Sequence, residues 1–286
     1  MRLPWIVVGV VVAALAAGVV VLDRRQAVRG QPSVLSGLGW ATPSPRARAT
    51  RASARPARVA VIVDELGGRA DVAERVLALR RPVAVAVLPE LPLSRRIARD
   101  AARAGLEVLV QLPLEPYRFP EADPGAGVLL AAMAPAEVTR RTRQHLAAVP
   151  GAVGVVTRMG SRFTEERGQM RAVLEPVLLQ GLFFVDSVTS SRSVGYDLAR
   201  ALGVPAGRRQ VFVDPDESES TARAGLRAVE RWATSRGAVL AIAHGRLLTV
   251  RLLEEALPGW EARGVRLVPV SELVKTDARA AGPVKP

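Results

Sequence analysis

The sequence predicts an α/β fold built on a parallel sheet, arranged either as a barrel or as a doubly wound sheet. From about residue 58 onward, short apolar runs alternate with amphipathic helical patterns about seven times. The runs are apolar at every position instead of every second one, which is typical of parallel strands buried on both faces. Both architectures place functional residues at the carboxyl ends of the strands.

The predicted elements fill residues 58–274, which we interpret as one domain. The predicted strands are Val59–Val63, Val83–Leu88, Glu107–Leu112, Ala152–Val156, Leu182–Val185, Val211–Val213, Ala238–Ala243 and Val265–Val268. The predicted helices are Ala70–Leu79, Ser94–Ala104, Pro135–Val149, Glu165–Gln180, Val194–Leu202, Ser220–Arg236 and Leu247–Arg263.

Residues 1–25 predict a single transmembrane anchor. Trp5–Leu22 is an unbroken apolar run of 18 residues, which is just long enough to cross the hydrocarbon core of a bilayer. The run ends in Val-Val-Val-Leu and then charges, which favours an uncleaved anchor over a signal peptide with a small-residue cleavage site. More arginines follow the run than precede it, which favours a cytoplasmic domain, but long domains translocate despite such charges.

Most of the formal net charge of +13 lies outside the predicted domain. Residues 1–58 carry nine Arg and one Asp, residues 275–286 add a net +2, and only +3 remains for residues 59–274. A domain with so little net charge and few aromatic residues does not fit nucleic-acid binding. Residues 26–57 are rich in Pro, Arg and Ala and predict a disordered linker, and residues 275–286 predict a disordered tail.

The histidine and cysteine content restricts the possible chemistry. The chain has no Cys and two His, which excludes disulfides, thiolate ligands and any site made of three imidazoles. His244 closes a predicted strand and is the best acid/base candidate, with a local structural hydrogen bond as the alternative. His145 lies beside Arg141 and Arg143 in a predicted helix, and we predict that it is solvated surface. No phosphate loop, dinucleotide fingerprint or nucleophile elbow is present.

Polar side chains close nearly every predicted strand. Asp64 and Glu65 form an acid pair after the first strand, which a metal, a cation or loop amides usually stabilise, with simple helix capping as the alternative. Gly160 after the fourth strand can adopt a positive φ. The strand-end candidates are Asp64, Glu65, Gln111, Glu115, Arg158, Ser161, Asp186, Ser187, Asp214 and His244. Because parallel strands end at one edge of a sheet, we expect most of these side chains to face a common cleft.

These residues stand in segments that together resemble the divergent polysaccharide deacetylase family. The segments, in chain order, are IVDELG, AVLPELPLS, AARAGLEVLVQLPLEP, GAVGVVTRMGSRFT, GLFFVDSVTS, ALGVP, RQVFVDPD and GAVLAIAHGRLLTVRLLEEALP. The resemblance covers about residues 58–274. It implies an irregular (β/α) barrel of about seven strands, an association with the cell envelope, and metal-dependent removal of acetyl groups from amino sugars.

The resemblance also implies roles for individual residues. Asp64 takes the position of the family's general base, and Glu65 takes the position of a second Asp that binds the metal. Gln111 and Arg158 stand where family members typically have His. Since Gln is a weak ligand and Arg a permanent cation, the expected set of zinc ligands is incomplete.

Two alternatives to the expected set of zinc ligands remain. Asp186 and His244 match the family's Asp-Ser and Gly-His positions, although Ala243 replaces the Gly, and together with Glu65 they form one conceivable set of ligands. Alternatively, Arg158 takes over from the metal by pairing with an acid and holding a saccharide. Asp64 and His244 are thus the catalytic candidates, Glu65 is the metal-ligand candidate, and the remaining strand-end residues are candidates for substrate binding.

Three interpretations follow for function: an envelope deacetylase acting on N- or O-acetyl groups, a degenerate family member that binds peptidoglycan or another envelope glycan, or a scaffold for a protein partner that the sequence does not identify. We expect no resident cofactor, although the resemblance implies zinc. The predicted anchor, together with the envelope association that the resemblance implies, predicts a single-pass protein of the inner membrane whose barrel lies in the periplasm.

Overall fold

Strands and helices alternate in the structure as the sequence predicts. We describe the protein from a computed structural model, and the structure describes residues 56–274. The predicted anchor and tail, and all but the end of the predicted linker, lie outside the described residues. Within residues 56–274, no helix is both long enough and apolar enough to span a bilayer.

The elements agree closely with the predicted ones. The strands are β1 (Ala57–Leu66), β2 (Ala84–Val87), β3 (Val108–Leu114), β4 (Ala152–Met159), β5 (Phe183–Asp186), β6 (Ala206–Arg208), β7 (Val211–Phe212), β8 (Ala238–His244) and β9 (Val265–Leu267). The helices are α1 (Ala70–Ala78), α2 (Ser94–Arg103), α3 (Pro135–Ala148), α4 (Arg167–Leu179), α5 (Gly195–Ala201), α6 (Glu219–Arg236) and α7 (Leu247–Ala262). Strands β1, β3 and β4 run beyond their predicted ends, so several of the predicted strand-end residues lie inside the strands.

The strands form one parallel sheet in the order β6-β5-β4-β3-β2-β1-β8-β7, and β9 pairs with the start of β1. Every registered pairing in the described chain is parallel. This architecture is the predicted α/β class and is consistent with a (β/α) barrel.

The two ends of the sheet are formed by neighbouring stretches of chain. Residues 206–208 pair with β5, and residues 211–212 pair with β8. Between them, the Arg209 N–H donates to the Asp186 carbonyl oxygen at 3.0 Å, and the Gln210 N–H donates to the Leu240 carbonyl oxygen at 2.9 Å. The segment 206–212 therefore links β5 to β8.

Side chains of the strands pack on two faces. In β1, Val61 and Val63 join the large apolar cluster that includes the helices, whereas Ala60 and Ile62 join a smaller cluster with residues of the other strands. We call these the outer and the inner cluster. Burying a Val or Ile side chain contributes roughly 1.5–3 kcal/mol, so both faces of the strand favour this register. Asp64 follows Ile62 on the inner side of the strand, because side chains alternate along a strand.

Both ends of the described chain lie near the amino ends of the strands. The segment 268–274 contributes Val268, Val270, Leu273 and Val274 to the inner cluster. Arg58 at the start of β1, Ala238 at the start of β8 and Val274 line one cavity of about 230 Å³. The carboxyl ends of the strands are thus left for the candidate site.

His145 is buried, so the prediction that it is solvated surface is wrong. Its exposed fraction is 1%, and its Nε2 donates to the Gly127 carbonyl oxygen at 2.8 Å. Helix α3 turns Val138, Thr142 and His145 to the interior, at the spacing of one helical face. The neighbouring arginines indicated surface only because they lie on the other faces of the same helix.

Candidate functional site

A cavity of about 220 Å³ opens at the carboxyl ends of the strands. Its walls are formed by residues of the strand ends and of the loops that follow them: Asp64, Glu65, Gln111, Thr157, Arg158, Met159, Ser187, Thr189, Arg209, Phe212, Pro215, Ile242 and His244. We refer to this space as the site cavity. Six of the strand-end candidates lie on its walls, as expected for a parallel sheet.

Gln111 holds the acid pair in place. Its Nε2 donates to Asp64 Oδ2 at 2.9 Å, and its Oε1 accepts from the Glu65 N–H at 2.8 Å. Asp64 Oδ1 is buried and has no hydrogen-bond partner among the described residues. Burial raises the pKa of Asp64 to about 7, against the opposing charge of His244. The raised pKa means that the neutral carboxyl group is favoured at this buried position, where an ionised oxygen without a donor is costly.

Arg158 is the positively charged partner of the acid pair. Its Nη1 forms an ion pair with Glu65 Oε1, and its Nε donates to the Pro124 carbonyl oxygen at 2.9 Å. The side chain of Arg158 is 16% exposed. Glu65 has φ of 59°, a left-handed conformation that non-glycine residues rarely adopt. The alternative in which Arg158 pairs with an acid is thus the arrangement seen here.

His244 is oriented by Asp214, which lies behind it. The His244 Nδ1 lies 2.9 Å from the Asp214 carbonyl oxygen, and the His244 N–H donates to Asp214 Oδ1 at 2.8 Å. Since a carbonyl only accepts, we assign the Nδ1 hydrogen to this bond. Nε2 then lies 3.5 Å from Glu65 Oε1 and forms an ion pair with it when the imidazole is protonated. Burial opposes the charged imidazole, but the bond to Asp214 and the charges of Asp64, Asp214 and Glu65 outweigh it and raise the pKa of His244.

Four candidate residues from the sequence do not lie on the cavity wall. Asp186 accepts from the Val188 N–H at 2.8 Å and from Ser193 Oγ at 2.7 Å, and so orders the loop after β5. Glu115 accepts from the Ala131 N–H and from Arg162, Ser161 Oγ accepts from the Tyr117 N–H, and Asp214 acts through His244. Direct contact of these four side chains with a substrate is not supported by this geometry.

The loop after the fourth strand has the backbone conformation that the sequence predicts. Gly160 has φ of +85°, the left-handed conformation that the sequence allows there. Ser187 lines the site cavity, and its N–H donates to Thr157 Oγ1 at 3.0 Å. Thr157 and Ser187 therefore fix the wall between β4 and β5.

Sequence reasoning missed Arg209 as a site residue. Its Nε donates to the Ser187 carbonyl oxygen at 2.6 Å, and its Nη2 donates to the Val188 carbonyl oxygen at 3.0 Å. Burial lowers the pKa of Arg209, although the charges of nearby acids oppose the shift. The only signal was a pair of arginines, Arg208 and Arg209, separated by Gln210 from the run Val211–Val213, and none of the predicted strands ends there.

The acid pair and His244 do not fit a resident zinc ion. Asp64, Glu65 and His244 each offer a ligand atom, and these atoms lie within 4.8 Å of one another. However, the guanidinium of Arg158 already pairs with Glu65, and a fixed cation there disfavours a dication. Gln111 presents its amide nitrogen, which cannot bind a metal, to Asp64. Asp186, a member of the ligand set considered from the sequence, is occupied elsewhere.

Comparisons with known proteins agree with this architecture. Residues 61–274 match the family model described as divergent polysaccharide deacetylase. The chain is 32% identical over 198 residues to the uncharacterized protein YibQ of Escherichia coli (strain K12), which covers 69% of this chain and 61% of that protein. It is 26% identical over 200 residues to an uncharacterized protein of Haemophilus influenzae, which covers 70% of this chain and 71% of that protein.

A solved structure supports the fold. The crystal structure of uncharacterized protein ATU2773 from Agrobacterium tumefaciens C58 matches with a TM-score of 0.72 at 28% identity, over 77% of this chain and 90% of that chain. The chain therefore spans most of that structure but only 61% of the Escherichia coli relative. The matched residues 61–274 include all of the side chains that line the site cavity.

Proposed function

The chain belongs to the divergent polysaccharide deacetylase family, and from that premise we propose that its site cavity binds an acetylated saccharide of the cell envelope. The observation that carries the proposal is the fixed guanidinium of Arg158, which lines the site cavity together with Asp64 and His244. A guanidinium held by Glu65 and a backbone carbonyl is a preorganised donor for the carbonyl oxygen of an acetyl group.

The remaining walls suit a sugar ring. The amide of Gln111, the acid Asp64 and the hydroxyls of Ser187 and Thr189 offer both donors and acceptors for sugar hydroxyls. Phe212 adds an apolar surface. A few polar groups around an apolar wall are typical of small-molecule sites.

Titration of the full-length chain with oligomers of N-acetylglucosamine and with their de-N-acetylated forms tests this proposal. We expect the acetylated oligomers to bind more tightly, and Arg158→Ala to weaken their binding about tenfold or more, because a hydrogen bond from a charged donor is lost. Arg171→Ala removes an exposed arginine of α4 that pairs with Glu175 and serves as the matched control. Equal affinity for both oligomers contradicts acetyl recognition, and no binding of either contradicts the proposal as a whole.

Hydrolysis of the acetyl group is the second candidate function. It is favoured by the pKa of about 7 for Asp64, which suits proton transfer near neutrality, and by the Asp214-oriented His244 beside it. In this reaction water attacks the acetyl carbonyl carbon, Asp64 or His244 accepts the proton of the water, and the amine leaves with a proton as acetate forms. Acetate release that disappears in Asp64→Asn supports the reaction, and binding without acetate release supports a binder alone.

We also propose that residues 1–25 anchor the protein in the inner membrane and that the domain lies in the periplasm. The support is the apolar run Trp5–Leu22 and the envelope association implied by the family. A reporter enzyme fused after Arg58 should be active only in its exported form. Activity in the cytoplasm without export contradicts the orientation. If neither glycan binding nor acetate release is found, the results favour the interpretation of the domain as a scaffold for a protein partner.

A further inference from the structure

The site cavity contains a second guanidinium group in addition to that of Arg158. Arg209 lines the cavity and has no carboxylate within 4.0 Å in the described part of the chain, whereas Arg158 pairs with Glu65. The charges of Asp186 and Asp64 favour the Arg209 cation, but neither acid forms an ion pair with it. Asp186 already accepts hydrogen bonds from its own loop. Among the described residues, the cavity therefore holds one cation that has no ion-pair partner within 4.0 Å.

The guanidinium of Arg209 is fixed in orientation. Two of its nitrogens donate to the carbonyl oxygens of Ser187 and Val188. The guanidinium carbon of Arg209, Cζ, lies 4.9 Å from the centre of the Phe212 ring. The third nitrogen, Nη1, has no hydrogen-bond partner among residues 56–274. A donor held this way loses little side-chain entropy when it binds an acceptor.

We propose that the saccharide bound in the site cavity carries a carboxylate as well as an acetylated amine, and that Arg209 binds this carboxylate. The inference rests on the proposed saccharide-binding function and names the class of saccharide. A carboxylate supplies the acceptor that Nη1 lacks and neutralises the unpaired charge, and such charge-assisted bonds are stronger than neutral ones. Because Arg158 and Arg209 line the same cavity of about 220 Å³, one sugar unit can reach both.

Arg209 also has a structural role, and the two roles predict different results. Its bonds to the loop after β5 hold Val188 at a φ of 51°, which is unfavourable for a β-branched residue. A purely structural Arg209 affects stability and leaves the preference among ligands unchanged. A carboxylate-binding Arg209 changes the preference itself.

The test uses three sugars, of which one carries the proposed carboxylate and two do not. N-acetylmuramic acid is N-acetylglucosamine with an added lactyl ether that ends in a carboxylate, and its methyl ester keeps the lactyl group without the charge. We expect the full-length chain to bind N-acetylmuramic acid about ten- to a hundredfold more tightly than either uncharged sugar. Arg209→Gln should remove this preference. Arg208→Gln makes the same change of charge one residue away, on a side chain that is outside the site cavity and pairs with Asp197, and should keep the preference.

Each other outcome contradicts the inference. Equal binding of all three sugars, or a preference that survives in Arg209→Gln, overturns it while the saccharide-binding proposal stands. No binding of any sugar overturns both. If thermal unfolding shows that Arg209→Gln does not fold, Arg209→Lys is compared for its binding of the acid and the methyl ester. Lys keeps the positive charge but lacks the planar, two-pronged donor geometry of Arg. Its preference for the acid over the ester should therefore fall without disappearing.

Discussion

Asp64→Asn should make the protein more stable at alkaline pH. Burial raises the pKa of Asp64 from 3.8 to about 7, so the native state binds an extra proton between about pH 4 and 7. Stability contributed by this group therefore falls as the pH rises through that window. A difference of about three pH units corresponds to about 4 kcal/mol, which is the upper bound of the expected gain at pH 8. Asn keeps an acceptor for Gln111 and never acquires a charge.

The assay is chemical denaturation from pH 4 to pH 8 for the wild type and the variant. We expect the free energy of unfolding of the wild type to fall across this range, and that of Asp64→Asn to lack the part of the slope between pH 4 and 6. A slope above pH 6.5 remains in both proteins, because the raised pKa of His244 has the same sign. The matched control is Asp214→Asn, since Asp214 is also buried but accepts hydrogen bonds from the His244 N–H and from Thr249.

The control should be less stable than the wild type at every pH, because an Asn amide cannot accept at both positions and leaves a buried donor unsatisfied. A variant Asp64→Asn that is less stable than the wild type at pH 8 would refute the reasoning. It would mean that the ionised carboxylate of Asp64 is stabilised in the cavity, by Arg158 or by a bound cation.

Further substitutions test the packing and the metal prediction. Gly225→Ala should destabilise the protein by about 1–3 kcal/mol in denaturation, because a Cβ there would lie 2.1 Å from a backbone carbonyl oxygen. Gly168→Ala places its Cβ in open space and should stabilise the protein by about 0.5–1 kcal/mol. A change of the same sign in both variants would contradict the packing of α6. The purified protein should hold no stoichiometric zinc in elemental analysis, and bound zinc would show that Arg158 moves aside. The double variant Gln111→His/Arg158→His should gain zinc, because it supplies two imidazoles and removes the competing cation; no gain would mean that the ligands do not converge.

The helices could be predicted to within two residues because their apolar spacing and the intervening loops mark them clearly. The short strand β6 was missed, since Ala-Gly-Arg has no strand signal and its pairing with β5 depends on the assembled sheet. His145 was misjudged because arginines beside a residue in sequence lie on other faces of the helix. These elements depend on tertiary contacts that local pattern does not encode.

The site could be predicted in part, and the reason is the alternation of side chains. Phe183 and Val185 belong to the inner cluster, so Ser187 faces the site cavity, whereas Asp186 faces the other way. Ile242 is an inner residue, and His244 two positions later is on the same side. A strand that is apolar on both faces gives no indication of which face is inner, so the sequence could place a residue at a strand end without giving its direction.

The position of the two ends of the described chain has a consequence for access to the site cavity. Arg58 and Val274 line a cavity at the amino ends of the strands, away from the carboxyl ends where the site cavity opens. Both ends of the described chain therefore lie away from the site cavity. Fusion partners or affinity tags placed before residue 56 or after residue 274 should accordingly leave ligand access intact.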